Sequence, residues 1–179
     1  MSKRVLILSA SPRKNGNSER LCKQFQLGAQ ESGNEVKKIY IQDYNIHFCK
    51  ACYACKKVDH CIQDDDMTMI LDEMDKANVI VLSSPVYFYS INAQLKTVID
   101  RTLATYYPQQ LKNKEFYFIM TAAEGEKAIK RAMDAMYGLT DCISGANVKG
   151  EIIADHVWQL GDIEGHSALR KAFEYGKNV

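Results

Sequence analysis

The sequence lacks the features of membrane and nucleic-acid-binding proteins. No apolar run approaches the roughly 20 residues of a membrane-spanning helix, and the first run, Val5–Leu8, is too short for a signal-peptide core. Lys and Arg number 23 against 22 Asp and Glu, and a net charge of +1 indicates no clustered basic surface for nucleic acid or an anionic membrane. These absences predict a cytoplasmic protein.

Repeats, low-complexity linkers and the common nucleotide-binding loops are also absent. No segment matches the Gly-Lys-Ser/Thr loop or the G-x-G-x-x-G turn. The spacing of His60, His156 and His166 indicates neither a metal site nor a Ser-His-Asp arrangement. The composition is that of an ordinary globular protein, with 46% hydrophobic and 25% charged residues. A length of 179 residues therefore predicts one domain, spanning residues 1–179.

Two kinds of segment alternate along the chain and predict an α/β fold. Short runs of β-branched or aromatic residues predict five strands, at Val5–Leu8, Val36–Ile41, Val79–Leu82, Phe116–Met120 and Ile152–Ala154. Apolar residues at helical spacing predict five helices, around Leu21–Ala29, Met67–Met74, Ile91–Ile99, Ile129–Met136 and Leu169–Phe173. Continuous apolar strands between amphipathic helices indicate a parallel sheet covered on both faces. The pattern fits a doubly wound sheet of order 2-1-3-4-5, which binds ligands beyond the carboxyl ends of its strands.

The loop after the first strand is rich in hydroxyl and amide side chains. It presents three hydroxyls, two amides and one guanidinium ahead of the first predicted helix: Ser9, Ser11, Arg13, Asn15, Asn17 and Ser18. A helix N-terminus adds exposed N–H groups and partial positive charge, so the loop suits a terminal monophosphate. A polar helix cap followed by a solvated basic turn is the alternative interpretation.

Several motifs in this order resemble the NADPH-dependent FMN reductase family. The run Ser-x-Ser-Pro-Arg-x-x-Gly-Asn-Ser after a first strand is similar to that family's FMN-phosphate loop. The segments Ser84–Ser90, Gln94–Lys96, Asp100-Arg101 and Gly161–Ile163 resemble the family as well. The resemblance implies a flavodoxin-like fold, FMN as the cofactor and NAD(P)H as the co-substrate.

The resemblance also assigns the segments after the third and fourth strands to the flavin ring. The ring-binding loop would comprise Pro85, Val86, Tyr87, Phe88, Tyr89 and Ser90. Aromatic side chains supply flat partners at low entropy cost, although a core or an oligomer interface would use the same rings. After the fourth strand, Thr121, Ala122 and Gly125 are expected at the flavin by position. Glu124 departs from the family's glycine-rich pattern, and its carboxylate would oppose an anionic reduced flavin.

Four cysteines occupy one long irregular segment, residues 43–65. They read C-x2-C-x2-C-x5-C, at Cys49, Cys52, Cys55 and Cys61. Such a set matches the ligands of a [4Fe–4S] cluster and can also form an all-cysteine zinc site, and a loop of reduced thiols is the third interpretation. The spacing resembles the iron-sulfur flavoproteins, a branch of the same family. Cys22, on a predicted helix, is expected to be a small core residue.

Three functions are compatible with these motifs. The first is an FMN-dependent oxidoreductase in which NAD(P)H reduces FMN and the flavin reduces a quinone, a flavin or a similar small-molecule acceptor. The second is an iron-sulfur flavoprotein that passes electrons from a ferredoxin-type donor through a [4Fe–4S] cluster to FMN. The third, a flavodoxin carrier, is disfavoured because such carriers are typically strongly acidic. The resemblance and the aromatic segments 87–89 and 106–107 also predict a homodimer or homotetramer.

Overall fold

The computed structural model describes residues 2–179 and places the five expected strands in one sheet. The strands are β1 (Arg4–Ser9), β2 (Glu35–Tyr40), β3 (Val79–Tyr87), β4 (Ser90–Ile91), β5 (Glu115–Thr121) and β6 (Asn147–Ala154). The five long strands pair in parallel in the order β2-β1-β3-β5-β6, and the two-residue β4 pairs antiparallel with β3. Without β4 this is the order 2-1-3-4-5, so the predicted doubly wound, flavodoxin-like sheet is confirmed.

All five expected helices are present, together with two α-helices of one turn and a 3-10 helix at Ile41–Asp43. The α-helices are α1 (Asn17–Glu31), α2 (Cys55–Val58), α3 (Met67–Lys76), α4 (Ala93–Arg101), α5 (Leu103–Tyr106), α6 (Glu126–Thr140) and α7 (Ser167–Lys177). Two boundaries were wrong. Ile41, expected at the end of the second strand, begins the 3-10 helix. Ile91, expected on the third helix, lies in β4. The reason is Asn92, whose side chain accepts a hydrogen bond from the Leu95 N–H and starts α4 after it. Within residues 2–179, no helix is both long enough and apolar enough to cross a membrane.

The helices cover both faces of the sheet, because side chains alternate along each strand. Leu6 and Leu8 of β1 pack on one face with apolar residues of α3, α4 and α6. Val5 and Ile7 pack on the other face with α1 and α7. The central strands are therefore apolar on both sides, which explains their continuous hydrophobic runs. The edge strand β6 begins with exposed or half-buried residues, so its sequence pattern revealed only the last three.

Helices α1 and α7 lie in unusually close contact, and each carries a glycine where they meet. A Cβ atom on Gly28 would lie 2.1 Å from the carbonyl oxygen of Phe173. A Cβ atom on Gly176 would lie 2.1 Å from the carbonyl oxygen of Phe25. Because both obstacles are backbone atoms, no side-chain rotation could relieve them. The carboxyl-terminal helix is thus packed directly against the helix that follows the hydroxyl-rich loop.

Candidate functional site

A cleft of about 450 Å³ lies at the carboxyl ends of the strands, bounded by the segments that follow β1, β3, β5 and β6. The three segments singled out in the sequence meet here. Most of the expected binding residues line the cleft: Ser11, Arg13, Asn17, Ser18, Pro85, Val86, Tyr87, Phe88, Tyr89, Thr121 and Ala122. Such a cleft is of the size of a cofactor site.

Four of the expected binding residues are not part of the cleft wall. Ser9 is fully buried at the end of β1, beneath the loop. Asn15 is exposed at a left-handed φ of 61°, and Ser90 is exposed in β4, where it pairs with Tyr87. Gly125 stands at the N-cap of α6. Each lies within two residues of a lining residue, but the course of the chain places it in the core, toward solvent or at a helix end.

The hydroxyl-rich loop ends at an uncapped helix N-terminus. Gly16, at the N-cap of α1, offers no side chain to bond the first N–H groups of the helix, so a ligand oxygen can bind there. Ser11 Oγ accepts a hydrogen bond of 3.1 Å from the Arg13 N–H, and the buried Ser18 lines the same wall. The Asn17 Oδ1 is buried and accepts no hydrogen bond from residues 2–179. A ribityl hydroxyl would satisfy it, so the loop fits the phosphate and ribityl chain of FMN.

A buried ion pair neutralises the acidic residue in the first turn of α1. Glu19 accepts hydrogen bonds of 2.6 Å from both Lys38 Nζ and the Tyr40 hydroxyl. Burial alone would raise the pKa of Glu19, but these hydrogen bonds and the Lys38 charge together lower it. The carboxylate therefore keeps its own cation, and the helix N-terminus stays favourable for an anion.

The aromatic segment after β3 forms a two-residue hairpin turn. Tyr87 pairs with Ser90, which leaves Phe88 and Tyr89 as the two turn residues with φ values of 49° and 61°. Positive φ at both positions is typical of a type I′ turn, where Asn and Gly are usual. The Phe88 side chain is fully exposed, at 103%. These rings thus stand at the rim of the cleft and do not belong to the core.

Glu124 is engaged by the same turn. The Tyr89 hydroxyl donates a hydrogen bond of 2.7 Å to Glu124 Oε2, and this bond raises the pKa of Tyr89. The Arg131 guanidinium lies 5.7 Å from the centre of the Tyr89 ring. The carboxylate that was expected to oppose a reduced flavin is therefore hydrogen-bonded at the rim, beside a ring that a cation also contacts.

The wall after β6 was missed in the sequence. Trp158 lines the cleft and is 64% exposed. The backbone N–H groups of Trp158 and Gln159 donate to Asp162 Oδ2 at 2.8 and 2.6 Å. These two bonds fix the turn that carries Trp158. Arg13 Nη1 donates to the Trp158 carbonyl at 3.1 Å, so this wall is bonded to the first loop. The signal was available, because the only tryptophan follows the last strand, whose carboxyl end opens on the same side.

A buried asparagine joins the elements behind the cleft and was also missed. Asn92 is 1% exposed, and its Nδ2 donates a hydrogen bond of 2.6 Å to the Ala10 carbonyl at the end of β1. Its backbone N–H donates to Ser84 Oγ at 3.0 Å, while its Oδ1 accepts from the Leu95 N–H. Asn92 thus connects the hydroxyl-rich loop, β3 and the start of α4.

The four-cysteine loop lies outside the wall of the cleft. Cys52 is exposed, and the other three cysteines of the loop, Cys49, Cys55 and Cys61, are half-buried. Ala51 and Tyr53 take left-handed φ values of 48° and 53°, so the chain reverses between successive cysteines. Backbone turns of this kind occur around iron-sulfur clusters and bound anions.

The four cysteine side chains influence one another, but their sulfurs do not surround a common metal position. Burial raises the pKa of Cys55, and the charges of the other three cysteines of the loop raise it further. Among residues 2–179, no three His, Cys, Asp or Glu side chains are placed to hold a metal ion. The donor set, four sulfurs on one loop, has the chemistry of a [4Fe–4S] ligand set.

A buried ion pair holds the two ends of the cysteine loop. Arg101 donates from Nη1 and Nη2 to the two carboxylate oxygens of Asp65 at 2.7 and 2.9 Å. Its Nη1 also donates to the His47 carbonyl at 2.7 Å. Burial would raise the pKa of Asp65, but hydrogen bonds from Arg101 and from the N–H groups of His47 and Met67 lower it to about 2. The loop is therefore closed at both ends on one side chain of α4.

Cys22 has the environment expected of a core residue. It is fully buried on α1, and that burial raises the pKa of its thiol to about 11. At neutral pH it remains a thiol, which is neither a strong nucleophile nor a metal ligand.

Comparisons with known proteins agree with these features. The family model described as NADPH-dependent FMN reductase matches residues 3–159. An iron-sulfur flavoprotein of Archaeoglobus fulgidus is 36% identical over 104 residues, which cover 58% of this chain and 47% of the relative. One from Methanocaldococcus jannaschii is 37% identical over 111 residues, or 62% of this chain and 58% of the relative. The chain thus spans about half the length of these relatives.

Solved structures share the fold at low sequence identity. An NAD(P)H:quinone oxidoreductase from Methanothermobacter marburgensis has a TM-score of 0.82 at 17% identity, over 99% of this chain and 96% of its own. An azoreductase from Bacillus anthracis has a TM-score of 0.75 at 16% identity, over 100% of both chains. The TM-scores show that the fold is the same. At identities this low, the comparison carries no argument about substrates.

Proposed function

Because the chain belongs to the NADPH-dependent FMN reductase family, we propose that it is an oxidoreductase that uses FMN to pass electrons from NAD(P)H to a quinone, a free flavin or a similar acceptor. When bound, FMN supplies a ring that accepts hydride and releases electrons. The observation that carries the proposal is the cleft itself, where an uncapped helix N-terminus and aromatic side chains border the same space.

The residues of the cleft divide between the two ends of such a cofactor. Ser11, Arg13 and Ser18 would bind the phosphate together with the first N–H groups of α1. The turn at 85–89 and Trp158 would hold the ring, since they border the apolar part of the cleft. The exposed rim leaves room for a second flat molecule to approach.

Substitutions in the first loop test this assignment. Arg13→Ala or Ser11→Ala should each weaken FMN binding by roughly ten- to hundredfold, because a charge-assisted contact to phosphate contributes about 1.5–3 kcal/mol. Quenching of flavin fluorescence measures the affinity. Arg170→Ala, on the exposed side of α7 where Arg170 pairs with Glu174, is the control and should have no effect.

Riboflavin separates the phosphate from the ring. It lacks the phosphate, so it should bind the wild-type protein weakly and be insensitive to the two loop substitutions. Equal affinities of the wild-type protein for riboflavin and FMN would contradict the phosphate assignment.

The cysteine loop supports a second candidate function. In this proposal the protein passes electrons from a ferredoxin-type donor through a [4Fe–4S] cluster to FMN. When bound, such a cluster supplies one-electron transfer. The support comes from the four neighbouring sulfurs, from the ion pair that closes their loop and from relatives named iron-sulfur flavoproteins.

Anaerobic reconstitution with iron and sulfide separates the two functions. If a cluster forms, replacing any one of Cys49, Cys52, Cys55 or Cys61 by Ala should remove its broad visible absorbance and leave FMN bound. Cys142→Ala, at an exposed cysteine outside the loop, is the matched control and should keep the absorbance. Wild-type protein that binds no iron after reconstitution, while all four variants retain NAD(P)H oxidation, would contradict the second function and support the first.

We also propose that the protein is a homodimer or homotetramer with the cleft near a subunit contact. The rim of the cleft leaves Phe88 and Trp158 largely uncovered, and Tyr106 is 54% exposed; a small chain has few other means of covering such rings. Light scattering that gives a mass near 20.3 kDa at micromolar concentration would contradict this proposal.

A further inference from the structure

The contacts described for Arg101 leave one of its donors unused. Arg101 is 1% exposed, and its Nη1 and Nη2 are bonded to Asp65 and to the His47 carbonyl. Its Nε–H is buried and has no hydrogen-bond partner among residues 2–179. A buried guanidinium donor without a partner is costly and rare. By contrast, the exposed pair of Arg4 and Glu35 uses both Nε and Nη2 of its arginine.

The cysteine loop offers an acceptor close to this guanidinium. Burial alone would lower the pKa of Arg101, but hydrogen bonds with Asp65, the negative charges of Cys61 and Asp65 and a smaller side-chain interaction with Cys61 raise it. The Cys61 side chain therefore lies within reach of the same guanidinium.

We propose that Arg101 is a positioning residue for the four-cysteine site, closing its loop through Asp65 and His47 and donating its Nε–H to the Cys61 sulfur when the sulfurs bind a [4Fe–4S] cluster. This inference rests on the second candidate function. Partners that orient metal ligands commonly affect metal affinity by about ten- to hundredfold. A hydrogen bond to a ligand sulfur and a fixed cation beside it both favour the reduced, more negative cluster, so Arg101 should raise the reduction potential.

The ion pair is poorly explained by stability alone. Burying a charge pair costs desolvation, and such pairs are often replaceable by apolar residues without loss of stability. A planar fork that meets one carboxylate, one carbonyl and one sulfur would, however, fix three points of a loop that is mostly irregular apart from the one-turn helix α2. Lysine keeps the charge but cannot reproduce that fork.

Three variants test the role of Arg101. Arg101→Lys keeps the charge and removes the fork. The double variant Arg101→Met with Asp65→Leu removes both charges together, so that no unpaired ion remains in the core. Arg4→Lys, at the exposed bidentate pair with Glu35, is the matched control. Each is reconstituted anaerobically with iron and sulfide and compared with the wild-type protein.

The measurements are iron retention against a chelator, the reduction potential from a dithionite titration followed by electron paramagnetic resonance, and FMN affinity. Arg101→Lys should lose roughly ten- to hundredfold in iron affinity and keep wild-type FMN affinity. The double variant should lose at least as much and, in the cluster that remains, show a lower reduction potential. Arg4→Lys should match the wild-type protein in all three measurements.

The outcomes distinguish the positioning role of Arg101 from the second candidate function, on which it rests. Wild-type protein that binds no iron would overturn both. A wild-type cluster whose retention and potential are unchanged in the two Arg101 variants would overturn the positioning role alone. Loss of iron only together with loss of FMN binding and of cooperative unfolding would assign the ion pair to the fold and also overturn it.

Discussion

The contact between α1 and α7 predicts opposite effects for chemically identical substitutions. Gly28→Ala or Gly176→Ala would place a methyl group 2.1 Å from a carbonyl oxygen of the facing helix. Ordinary contact of a Cβ begins at 3.4 Å, so 3.4 minus 2.1 leaves the helices about 1.3 Å too close. Gly138→Ala, on α6, adds the same methyl group where no atom lies within 4 Å.

The magnitude follows from two opposing terms. Alanine favours a helix over glycine by about 1 kcal/mol, and Gly138→Ala should gain most of this. At Gly28 or Gly176 the same gain is opposed by separation of the two helices, for which overpacking costs of about 1–3 kcal/mol are typical and larger ones occur. Since the obstacle is backbone, we expect the upper end of that range and a net loss of about 2 kcal/mol. The two classes should differ by roughly 3 kcal/mol.

Urea unfolding followed by circular dichroism measures these free energies, and thermal unfolding should show a loss of roughly 4–8 °C for either contact variant. The double variant should cost less than the sum of its parts, because helices already separated by one methyl group accommodate the other. If Gly28→Ala were as stable as Gly138→Ala, the close approach of α1 and α7 would be refuted.

Three further predictions concern the loops. Asp65 has a pKa of about 2 against an ordinary 3.8, so its carboxylate contributes about 2 kcal/mol to the free energy of unfolding; this contribution is complete above pH 5 and is lost as the pH falls through 2. Asp65→Asn should therefore make the free energy of unfolding depend less on pH in that range. An unchanged dependence on pH would contradict the pairing with Arg101. Asn92→Ala should destabilise the protein by about 2 kcal/mol, because it removes a helix cap and leaves the Ala10 carbonyl unpaired; a wild-type urea midpoint would argue against that network. Trp158→Ala should weaken FMN and riboflavin alike, by about 0.5–1.5 kcal/mol, whereas an effect on FMN alone would show that Trp158 acts on the phosphate.

The fold was predictable from the sequence where both faces of a strand are covered by helices. The central strands and the long helices have hydrophobic patterns that follow directly from two covered faces, and their order agreed with the prediction. The boundaries were less predictable, because an edge strand such as β6 is half exposed and lacks a continuous apolar run. Ile91 was misplaced because its apolar side chain matched the helical period, while the adjacent Asn92 decides where the helix begins.

The site was predictable only in its local parts. Hydroxyls before a helix and aromatic residues after a strand are visible in short windows, and the cysteine spacing is as well. The bonds from Asn92 to Ala10 and from Arg101 to His47 join residues 82 and 54 positions apart. No local pattern encodes such pairs, since each partner alone is an ordinary residue of a helix end or a loop. Three-dimensional placement was needed to find them.

The turn at Phe88 and Tyr89 sets function against stability at one point in the chain. Backbone strain of about 1–3 kcal/mol for each left-handed residue means that Asn-Gly would suit the turn better, yet would remove both rings from the rim of the cleft. Mutant libraries screened for heat resistance without flavin should therefore accumulate small polar residues at these two positions. Screening the same libraries for flavin retention should restore the aromatic pair, so the two selections together map which local costs the protein carries for its ligand.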